Sequence, residues 1–403
     1  MEDFRIQSGR ETRYRYTAYT YGAFGEHTGF AEHDGSELPT QAQLQVLMVQ
    51  YSYDADGRLI GVTYPGSENG VSGLSYAYDE KGWLKEIYAL TGNQGKNLLR
   101  SYTYTGDGKV SEIRSYLKFR EGSLSDYILH KYDYDVHSRI ARIEYQSSKA
   151  LGTVLESYRY VYDKNSNILM EEIYNVSLPS VNDAVHEERR FVYDPLGRLK
   201  SVTVENRKTG DLKTTVYTYD KTGNRLTETT GNEFCNNTYN SLNQQLTSIR
   251  KTGGNTASSK TYAYNGNGNL KKETDSHTGI TVDNLYDEAD RLVKATVTQS
   301  GTVSLVQDNV YNGNGQRIQK SDNGKRTDYY YHGSTVLYTT DQEGGKTSFN
   351  LLGPSNSILA SGRYDGAYAN NYYLHTKDVR GSTGSILSPD GIGLIAYRRR
   401  LMG

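Results

Sequence analysis

A single cysteine, Cys235, stands among 403 residues. An internal disulfide and a thiolate metal site are both excluded by that count. Tryptophan occurs once, methionine four times and phenylalanine seven times. Hydrophobic residues reach only 35%, below the ~45–50% of ordinary globular chains. No apolar run approaches the ~18 residues of a membrane-spanning helix. The start, Met1-Glu2-Asp3-Phe4-Arg5, carries no apolar stretch of the kind a secretory leader has. Charge of one sign is missing too: 46 basic and 47 acidic residues leave a net −1. Nucleic-acid partners are not expected, because they call for a basic excess or stripe. No H-E-x-x-H, G-x-S-x-G, G-x-G-x-x-G or G-x-x-x-x-G-K-[ST] pattern is present, so the usual signatures of metalloproteases, serine hydrolases and nucleotide binders are lacking.

What the chain has is tyrosine, 38 copies of it. Its apolar surface is therefore largely phenol surface, whose tip wants water or a partner. Eleven of these tyrosines head a repeated unit: Tyr53, Tyr78, Tyr104, Tyr134, Tyr162, Tyr193, Tyr219, Tyr239, Tyr264, Tyr286 and Tyr311. Successive copies lie 20 to 31 residues apart. Asp follows in seven copies (Asp54, Asp79, Asp135, Asp163, Asp194, Asp220, Asp287), Asn in three (Asn240, Asn265, Asn312) and Thr105 in one. Four positions after the tyrosine comes Gly57, Gly82, Gly108, Gly197, Gly223, Gly268 or Gly315. The remaining copies have Ser138, Ser166, Asn243 and Asp290 there. An aliphatic residue follows at the sixth or seventh position.

This is turn chemistry. Asp or Asn caps backbone N–H groups two residues on, and Pro195 suits the second position of a type I turn. The fourth position needs a left-handed backbone, natural for Gly and next best for Asn or Asp. Ser138 and Ser166 fit it poorly, so those two turns are expected to differ. The flanks read as strands: Tyr217-Thr218-Tyr219 alternates with period two, and Leu292-Val293-Lys294-Ala295-Thr296-Val297 is rich in β-formers. Each unit is thus one hairpin, and eleven units predict ~22 strands. The fold class is all-β, a long antiparallel sheet of consecutive hairpins. Residues 1–50 carry a degenerate copy around Tyr19-Thr20-Tyr21-Gly22, residues 51–340 the main array, and residues 341–403 a distinct segment. Stretches near 66–73, 92–97 and 253–259 read as loops between hairpins. Residues 38–50 suit a short helix or a strand equally.

The candidate chemistry is thin. Asp54-x-Asp56-Gly57 has calcium-like acids but lacks the further oxygen ligands and the late Glu of an EF-hand loop. The eight histidines form no close ligand pair. His375 with Asp378 has the residue types of an acid–base pair, and a structural turn explains them more simply. No catalytic residue, cofactor or metal site is expected. Tyrosine beside Arg, Asn and Asp also suits carbohydrate, since aromatic faces stack on sugar rings, although cross-strand pairing uses the same residues.

The units Tyr53-Asp54-x-x-Gly57, Tyr78-Asp79-x-x-Gly82, Tyr193-Asp194-x-x-Gly197, Tyr219-Asp220-x-x-Gly223, Tyr264-Asn265-x-x-Gly268 and Tyr311-Asn312-x-x-Gly315 resemble the YD repeats of Rhs proteins. Those repeats also occur in the C components of insecticidal toxin complexes and in teneurins. His375, Asp378, Gly381, Ser382 and Thr383 match the H-x-D-x-x-G-S-T stretch that opens the Rhs-associated core. The resemblance implies a sheet spiralling into a hollow shell or partial barrel around a toxic C-terminal domain. It further implies a secreted or cell-surface location, an effector or further shell segments as partners, and carbohydrate binding as a second role. Such a shell is non-catalytic, and no membrane insertion is expected. The family's core runs on and closes with Asp-Pro-x-Gly motifs whose aspartates release the toxin. Here Asp194-Pro195-x-Gly197 alone has that form, inside an ordinary repeat turn, so no protease site is assigned. Where a further tyrosine strand is expected, Arg398-Arg399-Arg400 stands, and the chain reads as stopping within the core. A β-propeller, with two hairpins per blade, would give a similar period. The scatter in spacing and the core-like segment weigh against it.

Overall fold

The computed structural model describes residues 2–7, 10–34, 39–92, 95–150, 153–178, 184–364 and 369–397. The basic tail 398–400 lies outside them. The described chain is built of thirty-two strands, from Glu2–Gln7 to Gly393–Ala396, with one α-helix, Gln41–Leu47, and short 3₁₀ turns. Each strand pairs antiparallel with the next. The sheet runs through the array, as in the pairing of Tyr193 with Leu199 and of Tyr219 with Arg225, and on to the final hairpins. It is one open sheet that does not close into a barrel. The segment 38–50, open between helix and strand, holds both: the helix, then the strand Val49–Tyr53.

Thirty-two strands exceed the ~22 that eleven hairpins predict, and the physical reason is that the turn recurs outside the eleven copies, in four of five further places without its tyrosine. The i+3→i bond that closes each repeat turn appears again at Gly22/Gly25, Asp341/Gly344, Gly353/Asn356, Asp378/Gly381 and Ser388/Gly391. The first of these belongs to the degenerate copy at Tyr21. The stretches read as loops are also mostly strand. Two-residue turns with positive φ at both positions, Asn69-Gly70 and Gly253-Gly254, let the flanking strands run on to Glu68 and from Asn255. Such turns match the right-handed twist of a hairpin. Ser138 and Ser166 take φ +66 and form the same turn as the glycine copies, contrary to expectation. Capping by Asp135 and Asp163 holds the backbone there against the steric preference of serine.

The sheet curls until its late strands meet its early ones. His332, on the strand Lys325–His332, stacks against both Phe30 (ring centroids 5.6 Å apart) and Tyr51 (5.1 Å), which also stack on each other (6.4 Å). Beyond that seam the chain lies across the tyrosine face of the early strands. Tyr76 Oη donates to Leu352 O (2.9 Å), Arg100 to Leu359 O (3.0 Å) and Tyr145 Oη to Lys377 O (2.8 Å). The main core forms in this double layer, with Val62, Leu74, Ile87 and Leu99 packed against Leu337, Phe349, Leu351 and Leu359. A second cluster joins Ile128, Ile143, Tyr145 and Tyr158 to Leu374 and Leu387. Burying each such side chain contributes roughly 1.5–3 kcal/mol.

Candidate functional site

The repeat turns share one backbone geometry, and in the Asp–Arg copies both carboxylate oxygens are used. At Tyr193–Leu199 the Asp194 Oδ1 accepts the N–H groups of Leu196 (2.9 Å) and Arg198 (2.9 Å), while Oδ2 accepts Arg198 Nε (2.6 Å). The freed arm of that guanidinium donates to the Asp220 carbonyl of the next unit (3.1 Å) and lies 4.8 Å over the Tyr219 ring. Asp54/Arg58, Asp135/Arg139 and Asp287/Arg291 repeat the pairing. In two units Asn167 and Asn224 replace the arginine. Burial opposes ionisation of Asp220. Hydrogen bonds from Asn224 and Thr222 outweigh it and bring the carboxyl down to about 2.

The tyrosines form a ladder. Tyr78 Oη donates to Leu59 O (2.8 Å), Tyr193 to Ile168 O (2.9 Å), Tyr219 to Leu199 O (2.7 Å), Tyr264 to Gln245 O (2.8 Å) and Tyr311 to Leu292 O (3.0 Å). In each case the acceptor belongs to the residue paired, across the bulge, with the preceding repeat tyrosine. Tyr53 continues the ladder back to His27 O (2.8 Å), and Tyr331 carries it forward to Arg317 O (2.9 Å). Each bond is worth ~1 kcal/mol net. Asp54, Asp79, Asp194, Asp220, Asn265 and Asn312, with Gly57, Gly82, Gly197, Gly223, Gly268 and Gly315, are thus placed together only within their own turns. Among the described residues no group of three His, Cys, Asp or Glu is arranged to hold a metal ion.

The segment around His375 is itself one more copy of the turn. Asp378 Oδ1 accepts Arg380 N and Ser382 N (both 2.9 Å), Gly381 has φ +75, and Lys377 pairs with Thr383. His375 bonds elsewhere, its Nε2 lying 2.9 Å from Ser361 Oγ. Burial, with Lys377 nearby, lowers that imidazole to about 4. Arg380 reaches across the layers to Glu171 (2.9 Å).

Sequence reasoning missed what holds this segment in place. Glu156 is almost fully buried, its carboxyl pushed up by burial, and it accepts hydrogen bonds from Tyr158 Oη and from Thr376 Oγ1 (2.6 Å). Asn175 donates to Ser385 Oγ (2.7 Å) beside it. A side chain at Gly384 would run into Glu156 and Tyr158. These partners lie about two hundred residues apart, and no local pattern marks them. The one available signal was an acid, Glu156, on the tyrosine face of its strand.

The tyrosine face changes character along the sheet. Two positions before the repeat tyrosine stand Tyr51, Tyr76, Tyr160, Phe191 and Tyr217 in the earlier strands, all buried. Further on, Asn237, Asn284 and Asn309 take that place, with Tyr262 keeping the aromatic in the copy between the first two. Each amide donates to the very carbonyl the repeat tyrosine uses: Arg225 O, Leu270 O and Leu292 O. Among the described residues the buried clusters reach the strands between Leu212 and Asp322 only through Tyr217 and Tyr219, and the face that carries these amides is mixed, since the cross-strand neighbours Val282, Val297 and Leu305 share it.

At the seam lies a cleft of about 630 Å³, lined by Tyr19, His27, Glu32, Asn314, His332 and Ser334 among others. Burial and the neighbouring His27 bring His332 down to about 4. Among the described residues no helix is long and apolar enough to cross a membrane.

No family model matches the chain. Two curated proteins are similar over part of it. One is the tRNA3(Ser)-specific nuclease WapA of Bacillus spizizenii, 30% identical over 184 residues. The other is the tRNA nuclease WapA of Bacillus subtilis, 30% identical over 185. Each match covers 44% of this chain and 7% of the relative. Among solved structures, a chain of the TcdB2–TccC3–Cdc42 complex aligns over 92% of this chain and 22% of its own, with 15% identity and a TM-score of 0.34. A chain of the Photorhabdus luminescens Tc holotoxin pore aligns over 94% and 23%, with 14% identity and a TM-score of 0.33.

Proposed function

We propose that this chain is a non-catalytic stretch of the wall of an Rhs-type toxin container, which encloses or presents a polypeptide effector outside the cell. The partial similarity to the WapA nucleases and the YD repeats support the family. The observation that carries the function is the curled sheet itself. Its late strands meet its early ones at the Phe30–His332–Tyr51 seam, and its buried clusters lie in the double layer over the early strands and not, among the described residues, on the strands between Arg225 and Asp322. A wall of this kind acts by confinement. Backbone groups are spent in strand pairing and the amides of Asn237, Asn284 and Asn309 are bonded to the wall, so few unpaired polar groups are offered to an occupant.

Protease protection tests it. A flexible, trypsin-sensitive polypeptide is joined after Gly403, and in a second protein ahead of Met1. The C-terminal passenger should survive limited trypsin at enzyme levels that remove the N-terminal one. Equal digestion of both would refute confinement. A second reading, carbohydrate binding, is favoured by the lining of the seam cleft.

A further inference from the structure

We infer that Arg100 binds a small monovalent anion, a halide such as chloride, between the two layers of the sheet; this is independent of confinement and of carbohydrate binding. Arg100 stands two positions before Tyr102 and four before the repeat tyrosine Tyr104, on the strand Gly95–Tyr104, so its side chain shares their face. The second layer lies over that face, and Arg100 Nη2 donates to Leu359 O (3.0 Å). Arg100 Nε is buried and has no hydrogen-bond partner. Among the described residues that one carbonyl is the only direct hydrogen-bond partner of the guanidinium. A cation withdrawn from water without an opposite charge destabilises a fold, and an anion beside it removes that cost.

The groups around Arg100 select the ligand. Ser115 is its cross-strand neighbour, and His130 lies enclosed beyond it, its Nε2 3.2 Å from Ser115 Oγ. Burial and the Arg100 charge both hold that imidazole well below its usual range, so it adds no second cation. The same charge favours the ionised form of the Tyr132 and Tyr145 phenols, against burial that opposes it. Tyr145 Oη is committed to Lys377 O (2.8 Å), which leaves Tyr132 to offer an O–H alongside Arg100 Nε. Glu156, on the far side of Tyr145, accepts bonds from Tyr158 and Thr376, and burial pushes its carboxyl up, so it is not the missing counter-charge. One guanidinium with hydroxyl donors matches one negative charge. A dianion such as phosphate would bury a charge that nothing here balances. Seated there, the halide ties the first layer to the strand Ile358–Arg363 of the second.

The test is thermal unfolding of residues 1–403, followed by circular dichroism, in sodium chloride, sodium bromide and sodium gluconate at equal ionic strength, together with anomalous scattering from crystals soaked in sodium bromide. The midpoint should be ~2 °C or more higher in either halide than in gluconate, and a bromide peak should stand beside Arg100 Nε. Arg100→Met, which keeps an apolar stem, should lose both the halide effect and the peak. Tyr132→Phe should weaken the halide ~5-fold with the circular dichroism spectrum unchanged. A halide effect of the same size in Arg100→Met would overturn the site, and so would equal midpoints in chloride and gluconate. Bromide at surface positions with none beside Arg100, an adventitious ion only, would overturn it as well. Should Arg100→Met fail to fold, the presence or absence of the peak in the parent protein decides.

Discussion

Acidification from pH 6.5 to 4 will loosen the seam and the double layer before it touches the repeat turns. His332 and His375 are each held at about 4 by burial, with His27 and Lys377 respectively adding to the effect. Unfolded, both would titrate near ~6.5. The unfolded chain therefore takes up protons first, and folding stability falls as pH drops through that window, levelling off below about 4. A displacement of that size corresponds to ~3 kcal/mol per group. Both rings keep some access to water, so ~2 kcal/mol each is the working figure, ~4 kcal/mol together. His130, fully enclosed beside Tyr145 and Ser115, acts in the same direction. Glu156 opposes it, because its raised pKa favours the folded state as the carboxyl protonates. The turn aspartates such as Asp220 are depressed and weaken the fold only at lower pH, below ~3.8. Urea unfolding followed by circular dichroism at intervals from pH 7 to 3 reads both windows. His332→Phe keeps an aromatic ring against Phe30 and Tyr51 without a titrating group, and His375→Gln keeps a partner for Ser361. The double variant should show a clearly shallower slope between pH 6.5 and 4, what is left there being due to His130, and keep the slope below it. A double variant with the parent's slope in the upper window refutes the reasoning.

The ladder predicts that Tyr193→Phe, which removes only the bond to Ile168 O, costs ~1 kcal/mol in the urea midpoint, whereas Tyr193→Ala costs ~3 kcal/mol or more. Ser166→Gly should leave stability unchanged or raise it by up to ~1 kcal/mol, since the residue sits at φ +66. Gly223→Ala, at φ +96 with open space around it, should lower stability by ~1–2 kcal/mol through backbone strain alone. Gly384→Ala places a methyl group against Glu156 and Tyr158 and should cost ~1–3 kcal/mol. Faster amide exchange confined to the strands Asn371–Lys377 and Thr383–Leu387 would mark the layer it displaces. Uniform exchange, unchanged from the parent, would show that the contact does not hold that layer.

The hairpin was legible because its information is local. Within seven residues, Asp194, Gly197 and Arg198 supply the cap, the left-handed corner and the guanidinium, and all three appear in the sequence in register. Copies that keep the corner but drop the tyrosine, such as Gly353 to Asn356 and Ser388 to Gly391, escaped a search led by tyrosine. The serines at 138 and 166 were misjudged because side-chain propensity was set against a turn whose Asp cap outweighs it. Asn69-Gly70 was taken for a loop although that dipeptide is a hairpin signal of its own.

The sequence by itself thus determined the unit, its turn chemistry, the antiparallel order of the strands and the absence of the familiar catalytic motifs. Only the tertiary structure decided which units face one another. Curvature accumulates over many strands from small twists at each bulge, and no seven-residue pattern encodes the sum. That sum sets His332 against Phe30 and Tyr51, lays Leu351 and Leu359 over the early strands, buries Glu156 beneath Thr376, and opens the cleft beside Tyr19.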